Sequence, residues 1–215
     1  MKKTAILFDQ DGTLTDSGPG IIRCARLTLA HFGIEKSYDD LRVFVGPPLE
    51  ESFLDLGIQE KDLQEAIHIY REEYETKGLY ENKPYPGIIE MLKELRNNGY
   101  PLYIVTSKDR EVAIRVLSHF DMAQYFQEVY GTDKRKKIQK SKAELMKECL
   151  EEIKKQDLNA IMVGDTKFDI RGANSNKIPS VAVLYGYGSR LSIEEAKPTF
   201  LAKDVLELEK ILFSL

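Results

Sequence analysis

Four short apolar segments constrain the fold of this chain more than any other feature of its sequence. They are rich in valine, isoleucine and leucine, lack polar alternation, and span residues 4–8, 102–105, 160–163 and 180–184. Runs of this kind are typical of strands that are buried on both faces of a parallel sheet. Between them, the stretches 88–95 and 112–120 carry apolar residues at helical spacing. Strands that alternate with helices predict an α/β fold with a doubly wound parallel sheet.

The segment 17–82 departs from this alternation. Apolar stripes from Ile22 to Phe32 and from Leu63 to Tyr74 predict helices, and the segment offers no convincing strand. The turn-rich stretch 83–87 marks its end. Since a domain commonly has about 150 residues, a chain of 215 residues fits one domain with an insertion. We predict a core domain of residues 1–16 and 83–215 and an inserted helical domain of residues 17–82.

Composition excludes several classes of protein. The net charge is −4 and the pI is about 5.6, whereas dedicated nucleic-acid binders carry a basic surplus. Cys24 and Cys149 form no metal-binding pair motif, and the first apolar run ends at Asp9, too early for a signal peptide. We expect a soluble cytoplasmic protein with free thiols and with no nucleic-acid or membrane partner. It is expected to be a monomer or a weak homo-oligomer.

Acidic residues follow the predicted strands. Asp9 and Asp11 come after the first strand, Asp165 comes after the third, and Asp169 begins the next helix. Ligands of open α/β sheets bind beyond the carboxyl ends of the strands, so these side chains are expected to converge. Four carboxylates in one crevice repel each other unless a cation lies among them. Because carboxylate oxygens are ligands that Mg²⁺ prefers, the sequence predicts a Mg²⁺ site.

Three segments resemble motifs of the haloacid dehalogenase-like superfamily. They are 8–17, FDQDGTLTDS; 105–107, VTS; and 164–170, GDTKFDI. The resemblance covers essentially the whole chain and implies a Rossmann-like core, with the insertion 17–82 as the mobile cap of that family. Residues 44–53, FVGPPLEESF, together with 15–17, are similar to phosphoglycolate phosphatase-like and 5′-nucleotidase-like members.

The resemblance implies a role for each acidic residue. Asp9 is the nucleophile that forms an aspartyl-phosphate, and Asp11 is the general acid and base. The Asp9 side chain, the Asp11 backbone carbonyl and the Asp165 side chain hold Mg²⁺. Asp169 orients a metal-bound water or a lysine. Gln10 stands where family members often have an aliphatic residue, and its side chain is expected either to pack or to contact the cap or substrate.

The same resemblance implies that Thr106 and Ser107 bind phosphate, together with a lysine that precedes a helix. The capping-box pattern at 141–144 predicts a helix N-terminus and places Lys142 in the first turn. A cation at that position opposes the helix dipole, so it suits a site that also holds an anion. Lys142 is therefore the predicted phosphate-binding lysine, and Lys140 is the alternative.

The predicted cap has its own candidate residues. Gly46 and Pro47 belong to a rigid loop ahead of a helix, where proline is favoured at the first position. Gly46, Pro47 and Arg42 are the candidates for contact with substrate. Residues 16–20 and 83–87 are the candidate hinges, and closure of the cap would expel water from the site.

These residues predict a Mg²⁺-dependent phosphomonoesterase that acts on a small-molecule phosphate ester, with phosphoglycolate or a 5′-nucleotide as leading substrates. A sugar phosphomutase of the β-phosphoglucomutase type has the same nucleophile and cap, but it would return the phosphoryl group to a sugar. A phospho-Asp receiver module in signalling also combines an aspartate, a Thr/Ser, a lysine and Mg²⁺. The helical insertion and Asp11 argue against the receiver.

Overall fold

In the computed structural model, which describes residues 3–133, 135–136 and 139–215, six strands form one parallel sheet. The order across the sheet is β3-β2-β1-β4-β5-β6. The strands are β1 (Thr4–Phe8), β2 (Leu102–Asp109), β3 (Glu128–Thr132), β4 (Asn159–Gly164), β5 (Ser180–Val183) and β6 (Phe200–Ala202). This is the order of a classical Rossmann sheet, so the predicted α/β class is confirmed.

Helices connect the strands and also form the insertion. They are α1 (Gly18–His31), α2 (Leu49–Asp55), α3 (Leu63–Thr76), α4 (Ile88–Asn97), α5 (Arg110–His119), α6 (Lys142–Lys155), α7 (Lys167–Ser175), α8 (Arg190–Glu195) and α9 (Val205–Phe213). Short 3₁₀ helices span Asp40–Phe44, Glu60–Asp62, Gly78–Tyr80 and Ala123–Tyr125. Ser141 and Glu144 form the predicted capping box, and α6 begins at Lys142. Within the described residues, no helix combines the length and the apolar character needed to cross a bilayer.

Two edge strands escaped the sequence prediction. β3 has one buried residue among exposed and half-buried ones, and β6 has only three residues, two of them exposed. An edge strand pairs on one side only and is short or mixed in polarity, so it lacks the continuous apolar run that identifies a central strand. The four apolar runs all became strands, and they occupy the four central positions of the sheet.

The sheet is packed on both faces. Ile6 and Phe8 of β1 belong to one buried cluster, which also includes residues of α4, α5 and α9. Ala5 and Leu7 belong to another, which includes residues of α6 and α7. Successive side chains of a strand point to opposite faces. A strand buried on both faces is therefore apolar at every position, which is why β1 shows no alternation.

Contacts between Cα atoms divide the chain into two compact units, residues 1–15 with 84–215 and residues 16–83. The first unit contains the sheet. The second contains α1, α2 and α3, and its interior includes an aromatic cluster of Phe44, Phe53, Tyr70 and Tyr74.

A charged triad ties the helices of the second unit together. Arg23 on α1 donates to Glu73 on α3 at 2.7 Å and to Glu81 at 2.6 Å.

The backbone of α1 also lies close to the turn at Gly78. A Cβ on Gly20 would lie 2.0 Å from the carbonyl oxygen of Gly78. Only glycine fits at Gly20, so α1 and the turn at Gly78 lie in direct contact.

Candidate active site

The acidic residues lie where the strand order of the sheet reverses. β1 pairs with β2 on one side and with β4 on the other, and such a switch point is where open α/β sheets bind ligands. Asp9 follows β1 directly and Asp165 follows β4 directly. Carboxylate oxygens of Asp9, Asp165 and Asp169 lie within 4.8 Å of one another, and all three residues are buried. The structure thus brings together three of the four predicted aspartates by their carboxylates.

A tight turn after β1 sets the path of the chain past Asp9. The carbonyl of Gln10 accepts backbone N–H groups from Leu14 at 2.9 Å and from Thr15 at 3.0 Å. Gly12 has φ +79°, and a Cβ on it would lie 2.2 Å from Oδ2 of Asp165. Both the left-handed backbone and the close approach require glycine. Gly12 therefore lets the first motif lie directly against Asp165.

Lys142 lies inside the acidic cluster. Its Nζ is 2.8 Å from Oδ1 of Asp9 and 2.9 Å from Oδ1 of Asp169, and it donates to the carbonyl of Val105 at 3.1 Å. An ammonium has three protons to donate, and three acceptors surround this one. The alternative lysine, Lys140, is exposed and pairs with Glu148. The structure thus places Lys142, and not Lys140, at Asp9.

Burial changes the protonation equilibria of this cluster. Burial, together with the charges of Asp169 and Asp11, raises the pKa of Asp9 to about 7, although Lys142 acts in the opposite direction. Burial and the charges of Asp169 and Asp9 hold the pKa of Asp165 well above its usual range. Burial alone would lower the pKa of Lys142, but Asp169 and Asp9 outweigh it and raise that pKa. Added positive charge would stabilise the ionised carboxylates, so the cluster fits a divalent cation with oxygen ligands.

Asp169 acts through its neighbours. Its Oδ2 accepts the backbone N–H of Thr166 at 3.0 Å and the hydroxyl of Thr166 at 2.7 Å, which caps α7. Its Oδ1 faces Lys142. Because Oδ2 accepts two hydrogen bonds and Oδ1 pairs with the Lys142 ammonium, the geometry of Asp169 fits the predicted role of orienting a lysine.

A glycine-rich loop after β5 seats Asp165, and the sequence analysis did not single it out. Tyr187 donates its backbone N–H to Oδ2 of Asp165 at 2.8 Å. A Cβ on Gly186 would lie 2.4 Å from Oδ2 of Asp165, and one on Gly188 would lie 2.0 Å from its carbonyl oxygen. The signal was present in the sequence, since 185–188, YGYG, directly follows a predicted strand. The rule that sites follow strand ends applies to β5 as it does to β1 and β4.

The end of β2 carries the predicted phosphate-binding residues. Thr106 is buried, and its hydroxyl accepts the backbone N–H of Lys108 at 3.2 Å. The backbone carbonyl of Ser107 accepts a hydrogen bond from the hydroxyl of Thr132 at 3.2 Å. The next helix, α5, is capped by Asp109, whose carboxylate accepts two backbone N–H groups. Phosphate binding by Thr106 and Ser107 stays a prediction.

Lys108 is a second site residue that the sequence analysis missed. Its Nζ lies 3.0 Å from Oδ1 and 2.8 Å from Oδ2 of Asp11. The two side chains are 8% and 12% exposed. The spacing of Lys108 from Thr106 offered no signal for this contact, because it depends on the local shape of the strand end.

The remaining candidates are the three cap residues and Gln10. Gly46, Pro47 and Arg42 belong to the second unit, and their contact with substrate stays a prediction. Gln10 is fully buried, and neither Nε2 nor Oε1 of its amide has a hydrogen-bond partner within the described residues. Its backbone N–H donates to Oδ1 of Asp9 at 2.7 Å.

The family model and the sequence relatives of this chain point to the same family. The family model described as haloacid dehalogenase-like hydrolase matches residues 6–183. A 5′-nucleotidase of Pseudomonas aeruginosa is 36% identical over 97% of this chain and 95% of its own. A phosphoglycolate phosphatase of Aquifex aeolicus is 28% identical over 96% of this chain and 95% of its own. A relative of another kind, the tyrosine-protein kinase PtkA of Mycobacterium tuberculosis, is 35% identical over 96% of this chain and 72% of its own.

Solved structures agree with the sequence relatives. The crystal structure of a predicted phosphatase from Clostridium acetobutylicum superposes with a TM-score of 0.92, at 34% identity and with full coverage of both chains. The family predicted from the three motifs is confirmed. This chain belongs to the haloacid dehalogenase-like hydrolases, and it is an enzyme related to the phosphatases of that family.

Proposed function

We propose that this protein is a Mg²⁺-dependent phosphomonoesterase that hydrolyses a small phosphate ester through an aspartyl-phosphate at Asp9. One observation carries the proposal. The buried carboxylate of Asp9 faces Asp165, and its Oδ1 is held by Lys142 at 2.8 Å and by the backbone N–H of Gln10 at 2.7 Å. Within the described residues these contacts fall on Oδ1, which favours Oδ2 as the attacking atom.

The reaction has two steps. In the first, a carboxylate oxygen of Asp9 forms a bond to phosphorus, the ester P–O bond breaks, and Asp11 gives a proton to the departing alkoxide. In the second, Asp11 takes a proton from water, the water oxygen bonds to phosphorus, and the bond between Asp9 and phosphorus breaks. The products are an alcohol and inorganic phosphate, and Asp11 ends in its starting protonation state.

The acidic cluster fits the metal that this chemistry requires. The Asp9 side chain, the Asp11 backbone carbonyl and the Asp165 side chain would hold Mg²⁺, with Asp169 fixing Lys142 beside them. Bound there, Mg²⁺ supplies positive charge to the oxygens of the transferred phosphoryl group. Burial favours the neutral forms of Asp9 and Asp165, and a bound cation would favour their ionised forms.

Thr106, Ser107 and Lys142 would bind the phosphoryl oxygens. Lys142 already faces three acceptors, Asp9, Asp169 and the carbonyl of Val105. Contact with phosphate therefore exchanges one of these partners for a phosphate oxygen. The unit of residues 16–83 would act as the cap, with Arg42, Gly46 and Pro47 sampling the rest of the substrate.

A phosphate-release screen with Mg²⁺ over small esters, including phosphoglycolate and 5′-nucleotides, tests the proposal. We expect release by the wild type, loss on removal of Mg²⁺ with EDTA, recovery on its return, and no release by Asp9→Asn. Equal release by Asp9→Asn would contradict the nucleophile. Transfer of the phosphoryl group to a sugar without free phosphate would instead indicate a phosphomutase, and a long-lived phospho-Asp9 without turnover would indicate a receiver.

A further inference from the structure

We propose that Lys108 is a positioning residue that holds the Asp11 carboxylate in place for proton transfer with the leaving group. The inference rests on the proposed function, because it concerns the acid and base of that reaction. Lys108 Nζ contacts both oxygens of Asp11, at 3.0 and 2.8 Å. An ammonium on both oxygens opposes rotation of the carboxylate about its Cβ–Cγ bond. A proton-transfer group needs this restraint, since its efficiency depends on a fixed distance to the reacting atom.

The shape of β2 directs Lys108 to this position. Val105 pairs with Tyr130 and Asp109 pairs with Thr132. Between these two pairings the chain moves four residues along β2 but only two along β3. The extra residues bulge out of the ladder, and a bulge re-aims the side chains that it carries. The backbone N–H of Lys108 donates to the hydroxyl of Thr106 at 3.2 Å. A hydrogen bond within the bulge thus stabilises its shape.

The neighbouring strand leaves room for the bulge. A Cβ on Gly131 of β3 would lie 2.8 Å from the carbonyl oxygen of Lys108 and 2.9 Å from Cα of Arg110. Real Cβ atoms do not come this close to backbone. Gly131 therefore permits the bulged end of β2, including the backbone of Lys108, to lie against β3.

The two lysines of the site have separate partners. Lys142 faces Asp9 and Asp169, whereas Lys108 faces Asp11. A different ammonium group thus orients each aspartate. Lys142 orients the proposed nucleophile, Asp9, and Lys108 orients the proposed general acid and base, Asp11. During turnover, one oxygen of Asp11 can exchange its proton with the leaving group or with water while Lys108 stays on the other oxygen.

The test compares two esters. Phosphoglycolate or 5′-AMP, whichever the wild type hydrolyses faster, has an alkoxide leaving group that requires a proton. 2,4-Dinitrophenyl phosphate has a leaving group that is stable as an anion and requires none. For Lys108→Met we expect kcat on the alkyl ester to fall about tenfold to a hundredfold, with KM unchanged. The pre-steady-state burst of dinitrophenolate should keep the wild-type rate.

Three variants make the result specific. Lys108→Arg, which keeps the charge, should recover part of the loss. Lys155→Met removes an exposed lysine that pairs with Glu152 and should leave both rates unchanged. In an Asp11→Asn background, Lys108→Met should slow the alkyl ester no further, because the group it positions is already lost.

The outcomes separate the inference from the proposed function. An equal reduction by Lys108→Met of kcat on the alkyl ester and of the dinitrophenolate burst rate would overturn the positioning role. So would the same loss in the Asp11→Asn background as in the wild type. So would unchanged hydrolysis of the alkyl ester by Lys108→Met. Absence of phosphate release from the wild type, or release by Asp9→Asn, would overturn the proposed function itself.

Discussion

The ammonium of Lys142 lies 2.8 Å from Oδ1 of Asp9, with both side chains less than one-tenth exposed. The same ammonium lies 2.9 Å from Asp169, which is fully buried. Two buried carboxylates thus share one cation, and removal of that cation leaves both of them uncompensated. We therefore expect Lys142 to be necessary for the fold of the site as well as for its proposed chemistry.

Lys142→Met tests this dual role. Breaking a buried ion pair by removing one partner typically costs about 3–5 kcal/mol. We expect a loss of this size in the free energy of unfolding, measured by urea titration in EDTA, along with loss of phosphate release. Lys140→Met is the matched control on the exposed pair with Glu148, and it should change stability by less than about 1 kcal/mol. Similar effects of the two substitutions would contradict the ion-pair geometry.

Gly186→Ala tests the loop that seats Asp165. The added Cβ would lie 2.3 Å from the carbonyl oxygen of Gly12 and 2.4 Å from the Asp165 side chain, so Asp165 must shift. We expect the Mg²⁺ concentration for half-maximal activity to rise by an order of magnitude or more, as is typical when the support of a metal ligand is lost. Gly172→Ala is the control, because its Cβ would lie 3.1 Å from the flexible end of Met146 and at ordinary van der Waals distance, 3.6 Å, from the backbone of Ala143. An unchanged Mg²⁺ requirement in Gly186→Ala would show that this loop does not position Asp165 for Mg²⁺.

Gln10→Leu tests the cost of a buried amide that lies, in the chain, between the proposed catalytic residues Asp9 and Asp11. Within the described residues, neither polar atom of the Gln10 side chain has a partner, and an unsatisfied buried group costs about 1–3 kcal/mol. A side chain of similar size without polar atoms should raise the free energy of unfolding by about 1 kcal/mol, seen as a higher urea midpoint. Asp9 keeps its bond to the Gln10 backbone N–H, so phosphate release should persist. A lower midpoint would mean that the amide has a hydrogen-bonded partner in solution.

Alkaline unfolding tests the burial of Cys24. Burial raises the pKa of this thiol from 9.0 to about 11. Between pH 9 and 11 the unfolded thiol loses its proton while the native thiol keeps it, so the unfolded state binds fewer protons. The free energy of unfolding should therefore fall as the pH rises from 9 to about 11. Below pH 9 the thiol is protonated in both states, so Cys24 should not contribute to the pH dependence. Urea titrations at several pH values should give a shallower decline for Cys24→Ala than for the wild type. Parallel declines would show that the thiol titrates normally in the native state.

Local patterns in the sequence sufficed for much of the fold. The central strands are buried on both faces, so each is a continuous apolar run, and helices such as α4 show their buried stripe directly. β3 and β6 were missed because an edge strand need not be apolar throughout. Asp9 and Asp165 were singled out for a related reason. Asp9 directly follows the apolar run 4–8 and Asp165 lies two residues after the run 160–163, and a parallel sheet gathers such residues at one edge.

The sequence by itself determined the parallel α/β class, the helical insertion and the acidic residues at the strand ends, because each is encoded in a short stretch of chain. Only the tertiary structure decided which lysine faces Asp9, that Lys108 contacts Asp11, and that Gly186 lies against Asp165. These contacts join residues far apart in the chain. They depend on the strand order, on a bulge in β2 and on close approaches that only glycine permits. None of these features appears in the periodicity of the residues themselves.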